Sequence, residues 1–110
     1  MRQIRHPLGR SDVMGIFDHV LETTRGNLAA AERRLDDIDD LLRAIADNPA
    51  SGIRLDGPLA GWLVRHGGRG RMITVVFRPD LEARLIHIAL IAFGGRNWLH
   101  EATGRRSFPD

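Results

Sequence analysis

Two long apolar runs, close together in the chain, constrain this fold more than any other feature. Arg71-Met72-Ile73-Thr74-Val75-Val76-Phe77 is followed by Arg78-Pro79-Asp80-Leu81-Glu82 and then by Arg84-Leu85-Ile86-His87-Ile88-Ala89-Leu90-Ile91-Ala92-Phe93. Both runs are rich in β-branched and aromatic residues, and the Pro-Asp segment between them predicts a strand, a turn and a second strand. The runs are apolar on both faces, so each face of the sheet needs a cover: helices, a neighbouring element or a partner protein. Trp62-Leu63-Val64-Arg65-His66 reads as a third strand, joined to the central one by a hairpin turn at Gly67-Gly68-Arg69-Gly70.

The first half of the chain has a different period. Val13, Ile16, Phe17, Val20 and Leu21 form one stripe of an amphipathic helix that Ser11 can cap, with Asp12 in the first turn and Gly26 past its end. Asn27 can cap a second helix running through Asp47, with Leu28, Ala31, Leu35, Ile38, Leu41, Leu42 and Ile45 on its buried side. That helix is roughly 30 Å long, and Asn48-Pro49 stops it. Arg2 to His6 can form a short first strand ended by Pro7. The expected architecture is α+β, in the order strand-helix-helix-strand-strand-strand, with an antiparallel sheet packed on a helical hairpin. Residues 1–98 make one domain, and residues 99–110 read as a weakly ordered tail.

Charge is divided unevenly. All 16 basic residues are arginine; residues 1–50 carry seven of them against nine acids, and residues 51–110 carry nine against five. The sheet half is thus basic, which suits an anionic partner. With no cysteine, disulfides and thiolate metal sites are excluded, as suits a reducing cytoplasm. No apolar leader follows Arg2 and Arg5, and the Leu85–Phe93 run is too short to span a bilayer, so the expectation is a cytoplasmic protein with no membrane association.

Few residues point to chemistry. The five histidines lie on different elements without ligand spacing, so neither a metal nor a cofactor is expected. Asp36-Asp37 and Asp39-Asp40 are interleaved with Arg33, Arg34 and Arg43 and read as a solvated helix face. Gly67-Gly68-Arg69-Gly70 lacks the helix that a phosphate loop requires. His66 stands at a strand end, either a surface histidine or a proton shuttle, and no Ser-His-Asp or Cys-His arrangement is evident. Arg65, Arg71, Arg78 and Arg96 mark strand ends. They either converge on one rim, where forked guanidinium groups bind phosphate or carboxylate, or act as ordinary gatekeepers of exposed strand ends.

Ile16-Phe17-Asp18-His19-Val20, the helix closing in Ala44-Ile45-Ala46-Asp47-Asn48-Pro49-Ala50-Ser51-Gly52, the strand Arg71–Phe77 running into Arg78, and Ile88–Phe93 leaving through Gly94-Gly95-Arg96-Asn97-Trp98 occur in that order. Together they resemble the toxins of the RelE/ParE superfamily of bacterial type II toxin–antitoxin systems, nearer the ParE branch, over about residues 2–98. The resemblance implies a toxin neutralised by a cognate ParD-like antitoxin that orders on binding. ParE-like members poison DNA gyrase without nuclease chemistry, whereas RelE-like members cut mRNA on the ribosome with basic residues and a Tyr or His. This chain has no tyrosine, and arginine stays protonated and is a poor proton carrier, so gyrase inhibition is the expected activity and ribosome-dependent mRNA cleavage the alternative. No catalytic residue and no sequence-specific nucleic-acid binding is expected. Target contact is assigned to Arg65, Arg71, Arg78, Arg96 and Trp98, with Arg96 and Trp98 facing outward together. Antitoxin contact is assigned to Phe17, Leu21, Leu35, Ile38, Val75 and Phe77.

Overall fold

The computed structural model describes residues 1–107. The chain runs β1 (Arg2–Arg5), α1 (Gly9–Thr23), α2 (Leu28–Asp47), β2 (Ile53–Arg54), β3 (Leu63–Gly67), β4 (Ile73–Asp80), β5 (Leu85–Phe93) and α3 (Trp98–Thr103), with 3-10 turns at Gly57–Leu59 and Arg69–Arg71. This is an α+β arrangement around one five-stranded sheet in the order β1-β5-β4-β3-β2.

The sheet is mixed, not antiparallel throughout. β1 pairs parallel to β5, with Arg2 opposite Leu85 and Arg5 opposite Ile88, while the other neighbours are antiparallel. The cause is the two-residue strand β2, absent from the sequence reading because it lies in a Gly/Pro-rich loop. If each connection reverses the chain, strand-helix-helix-strand-strand-strand has five reversals and sets the last strand antiparallel to the first. β2 adds a sixth and makes β1 and β5 parallel.

The helical hairpin covers one sheet face. Ile16, Ile38, Leu42 and Ile45 meet Val75, Phe77, Ile86, Ile88 and Ile91 in one buried cluster. A bulge between Val76 and Phe77 sets Phe77 opposite Ile88 and Val76 opposite Leu90, leaving Ala89 as the extra residue. It allows Ile88 and Ile91, three apart, to face the same helices. Val64, Val76, Leu90 and Ala92 point the other way, into a second cluster closed by Leu59, Trp62 and Ala102. The doubly apolar strands are therefore covered on both faces by this chain itself.

Local signals account for most element ends. Asn27 caps α2 by accepting from the Ala30 amide (3.1 Å). α1 begins at Gly9 with no side-chain cap, and Ser11 lies inside it. Its far end is a Schellman motif: the Gly26 amide bonds Leu21 O (2.7 Å) and the Arg25 amide bonds Glu22 O (3.4 Å). The residue at C′ is Arg25, with φ of 57°, so Gly26 sits one position later than the sequence suggested. β4 continues through Arg78-Pro79-Asp80, displacing the expected turn to residues 81–84. Proline is tolerated there because β3 ends opposite Phe77, leaving that flank of β4 open. Asp37, assigned above to a solvated face, instead accepts from Arg34 Nη1 (3.2 Å) and from the Arg69 amide (3.2 Å), fastening the β3–β4 turn to α2.

The assigned tail also has structure. Residues 98–103 form α3, whose Ala102 is fully buried. Arg105 reaches back 93 positions to Asp12, Nη1 to Oδ2 at 2.6 Å. Residues 108–110 lie outside the described residues.

Candidate functional site

A cleft of ≈ 360 Å³ opens at the β2 edge of the sheet, lined by Ser51, Ile53, Val64, Arg65, His66 and Arg71. β2 pairs with only Leu63 and Val64, so among the described residues no strand lies beside the β3 edge from Arg65 to Gly67. Alternation along β3 separates Arg65 from His66 onto opposite sides of the strand. Arg65 Nη1 donates to Ser51 Oγ (2.7 Å), which directs the guanidinium along the open edge. His66 Nδ1 shares a 2.8 Å hydrogen bond with the buried Thr74 hydroxyl, and its ring stands edge-on to Trp98 at 6.0 Å. Two contacts thus fix the imidazole. Arg71 closes the end of the cleft from the β3–β4 turn, with φ of 56°. A phosphate or carboxylate is the group that two guanidiniums at such an edge recognise.

The four arginines do not converge on one rim. Arg65 and Arg71 share this cleft. Arg78 is opposite His87 near the other end of β4, five positions or about 16 Å from Ile73. Its guanidinium lies over the Trp62 ring at 5.1 Å, beside a separate apolar cleft of ≈ 510 Å³ that includes Trp62, Leu63, Pro79 and Leu81. Strand register decides this, since the two ends of β4 face opposite ends of the sheet.

Arg96 and Trp98 are not an outward pair. Trp98 is half-buried against the second cluster, and Arg96 forms a bidentate ion pair with Glu101 through Nε and Nη2. The hydrogen bond to Glu101 raises the Arg96 pKa, and the hydrogen bond from Arg96 holds the Glu101 carboxyl below the ordinary glutamate range. Because the folded-state value is the lower one, the stabilisation is present above the unfolded value and is lost as pH falls through the folded one. Amide protection factors in residues 98–103, with the intrinsic pH dependence of exchange divided out, are therefore expected to fall in acid and to stay flat from pH 6 to 8, and Glu101→Gln should remove the acid step. An acid step that persists in the variant would assign it to another carboxylate.

The antitoxin candidates divide by burial. Ile38, Val75 and Phe77 are 1% exposed or less and belong to the core, out of reach of any partner while the fold is intact. Phe17, Leu21 and Leu35 are half-buried and remain accessible. The sequence reading missed Ser51 and Thr74, which orient Arg65 and His66 from a loop and a neighbouring strand. Only the alternation of Thr74 between two aliphatic neighbours hinted that a hydroxyl was needed there. Among the described residues no cluster of His, Cys, Asp and Glu is arranged to hold a metal ion, and no helix is long and apolar enough to cross a membrane.

No family model matches this sequence, and no curated protein matches it either. The functional reading therefore rests on the chain's own residues and on the resemblance they carry.

Proposed function

We propose that this chain is the toxin of a type II toxin–antitoxin pair, of RelE/ParE type and nearer ParE, which inhibits DNA gyrase and is neutralised by a ParD-like antitoxin. The observation that carries the reading is the strand-helix-helix start with its hairpin laid on one face of the following antiparallel strands. The segments of the resemblance also fall at junctions of this fold. Asp47-Asn48-Pro49 ends α2, Arg78-Pro79-Asp80 ends β4, and Gly94-Gly95-Arg96-Asn97 links β5 to α3. Partner binding then uses Phe17, Leu21 and Leu35 on the hairpin, and target contact uses Arg65 and Arg71. Induction of the chain alone should stop growth with DNA breakage and filamentation, and co-expression of the adjoining reading frame should restore growth. Harmless expression at high soluble yield would remove the toxin reading.

One observation favours a second reading, ribosome-dependent mRNA cleavage: the oriented imidazole of His66 lines the same cleft as Arg65 and Arg71. General acid–base catalysis by a positioned side chain contributes about 10²–10⁴-fold. His66→Gln should leave growth arrest and DNA breakage unchanged if gyrase is the target. A loss of about that size in transcript cleavage, with an unchanged melting temperature, would establish the ribonuclease instead.

A further inference from the structure

A second cationic cleft, of ≈ 260 Å³, lies between the connected end of the helical hairpin and the β3–β4 turn, on the α2 side of that turn. Its lining includes Arg33, Arg34, Arg69, Asp37, Val20 and Phe93. Arg34 is held before any ligand arrives. Its Nη1 donates to Asp37 Oδ2 (3.2 Å) and to Arg69 O (2.8 Å), and its guanidinium lies over the Phe93 ring at 4.9 Å. His19 packs on the same ring, centroids 5.8 Å apart. Arg33 and Arg69 are exposed, one from α2 and one from the turn, and line the cleft with Arg34.

Charge and placement select the ligand. Three arginines line one concave space, and the one carboxylate among the lining residues, Asp37, has its charge matched by Arg34. Two positive charges are left for a ligand. A monocarboxylate would satisfy one of them, whereas a phosphoryl dianion satisfies both and offers the oxygens that forked guanidiniums bind in pairs. The concavity adds to the local potential beyond what isolated surface charges produce, and the fixed Arg34 reduces the ordering cost of binding. The carbonyl of Val20, a lining residue, is partly covered, since the Thr23 and Thr24 hydroxyls both donate to Val20 O (3.3 and 2.6 Å).

We infer that this cleft binds the phosphoryl group of a small phosphate ligand, with Arg33 and Arg69 closing on it beside Arg34. The site is separate from the Arg65–Arg71 cleft and does not depend on the toxin reading. The test is a titration of the full chain followed by amide chemical shifts at constant ionic strength, with inorganic phosphate, adenosine 5′-monophosphate and acetate in parallel. Phosphate is expected to give saturable shifts at Val20, Gly70 and Phe93. Arg33→Gln with Arg69→Gln should weaken it by at least about tenfold, the scale of losing charge-assisted hydrogen bonds, with the melting temperature unchanged. Equal affinity for phosphate and the nucleotide assigns the site to the phosphoryl group alone. Markedly tighter nucleotide binding adds a ring contact at the Phe93–His19 pair. Linear, non-saturating shifts, acetate binding as tight as phosphate, or undiminished affinity in the double variant would each overturn the inference.

Discussion

Asp12→Ala is expected to lower the unfolding free energy by about 3–5 kcal/mol, the scale of breaking a buried ion pair from one side. Asp12 is 3% exposed, and its Oδ2 accepts from the Ile91 amide (3.0 Å) and from Arg105 Nη1 (2.6 Å). The Ile91 amide needs it because of where β1 ends. β1 pairs with β5 only as far as Arg5 opposite Ile88, and Pro7 follows. Beyond that point no strand among the described residues lies on that flank of β5, and the carboxylate takes the amide that a longer β1 would have taken. Arg105, which also reaches Ala89 O (3.3 Å), supplies the compensating charge. Urea denaturation measures the effect; a loss below about 1 kcal/mol would mean that water replaces the carboxylate at little cost. Asp12→Asn should fall between wild type and Ala, since it keeps an acceptor for Ile91 and loses the charge.

Phe77→Ala should cost a similar amount, about 3–5 kcal/mol, because the ring is fully buried and its removal leaves a cavity between sheet and hairpin. The neighbourhood cannot collapse easily. Gly52 already approaches so closely that a Cβ there would stand 3.0 Å from Phe77 Cζ and 2.9 Å from Leu63 Cβ. The denaturant midpoint should drop with an unchanged slope, the mark of altered stability without altered unfolded-state compactness. The variant also separates core from contact. If antitoxin docks on the hairpin, Phe77→Ala weakens it only as far as it unfolds the chain, whereas Leu21→Ala and Phe17→Ala should weaken it with the fold intact.

How far each feature could be read from sequence depended on the range over which it is determined. α2 was legible because its stripe, its Asn27 cap and its Pro49 stop all lie within one stretch of chain. β2 was not, since two residues carry no period and its pairing is set by Leu63 and Val64. α3 was missed because six residues with one fully buried position, Ala102, give no amphipathic signal. Asp12 was assigned to the helix dipole, a role any first-turn acid fits; its function needs Ile91 and Arg105, which only tertiary structure brings near. The arginine cluster failed similarly. Marking strand ends was possible, but choosing which ends meet required the β3–β4–β5 register. His66 was marked only as a strand-end histidine, because its orienting partner Thr74 lies across the β3–β4 pair.

The parallel pairing of β1 with β5 also fixes when this protein can fold. During synthesis the first strand and both helices emerge long before β5, yet the seat for β1 is the edge of β5, and Asp12 waits for an amide 79 positions later. Such separations give a high contact order, for which loop closure precedes any compensating contact and folding is slow. The nascent hairpin, complete at Asp47, therefore waits through 46 further positions of synthesis for the end of β5 at Phe93, its apolar stripe uncovered and exposed to aggregation and to chaperones. A partner that docked on that stripe would have its widest opportunity before residue 93 leaves the ribosome, which would make the timing of its synthesis part of its effect.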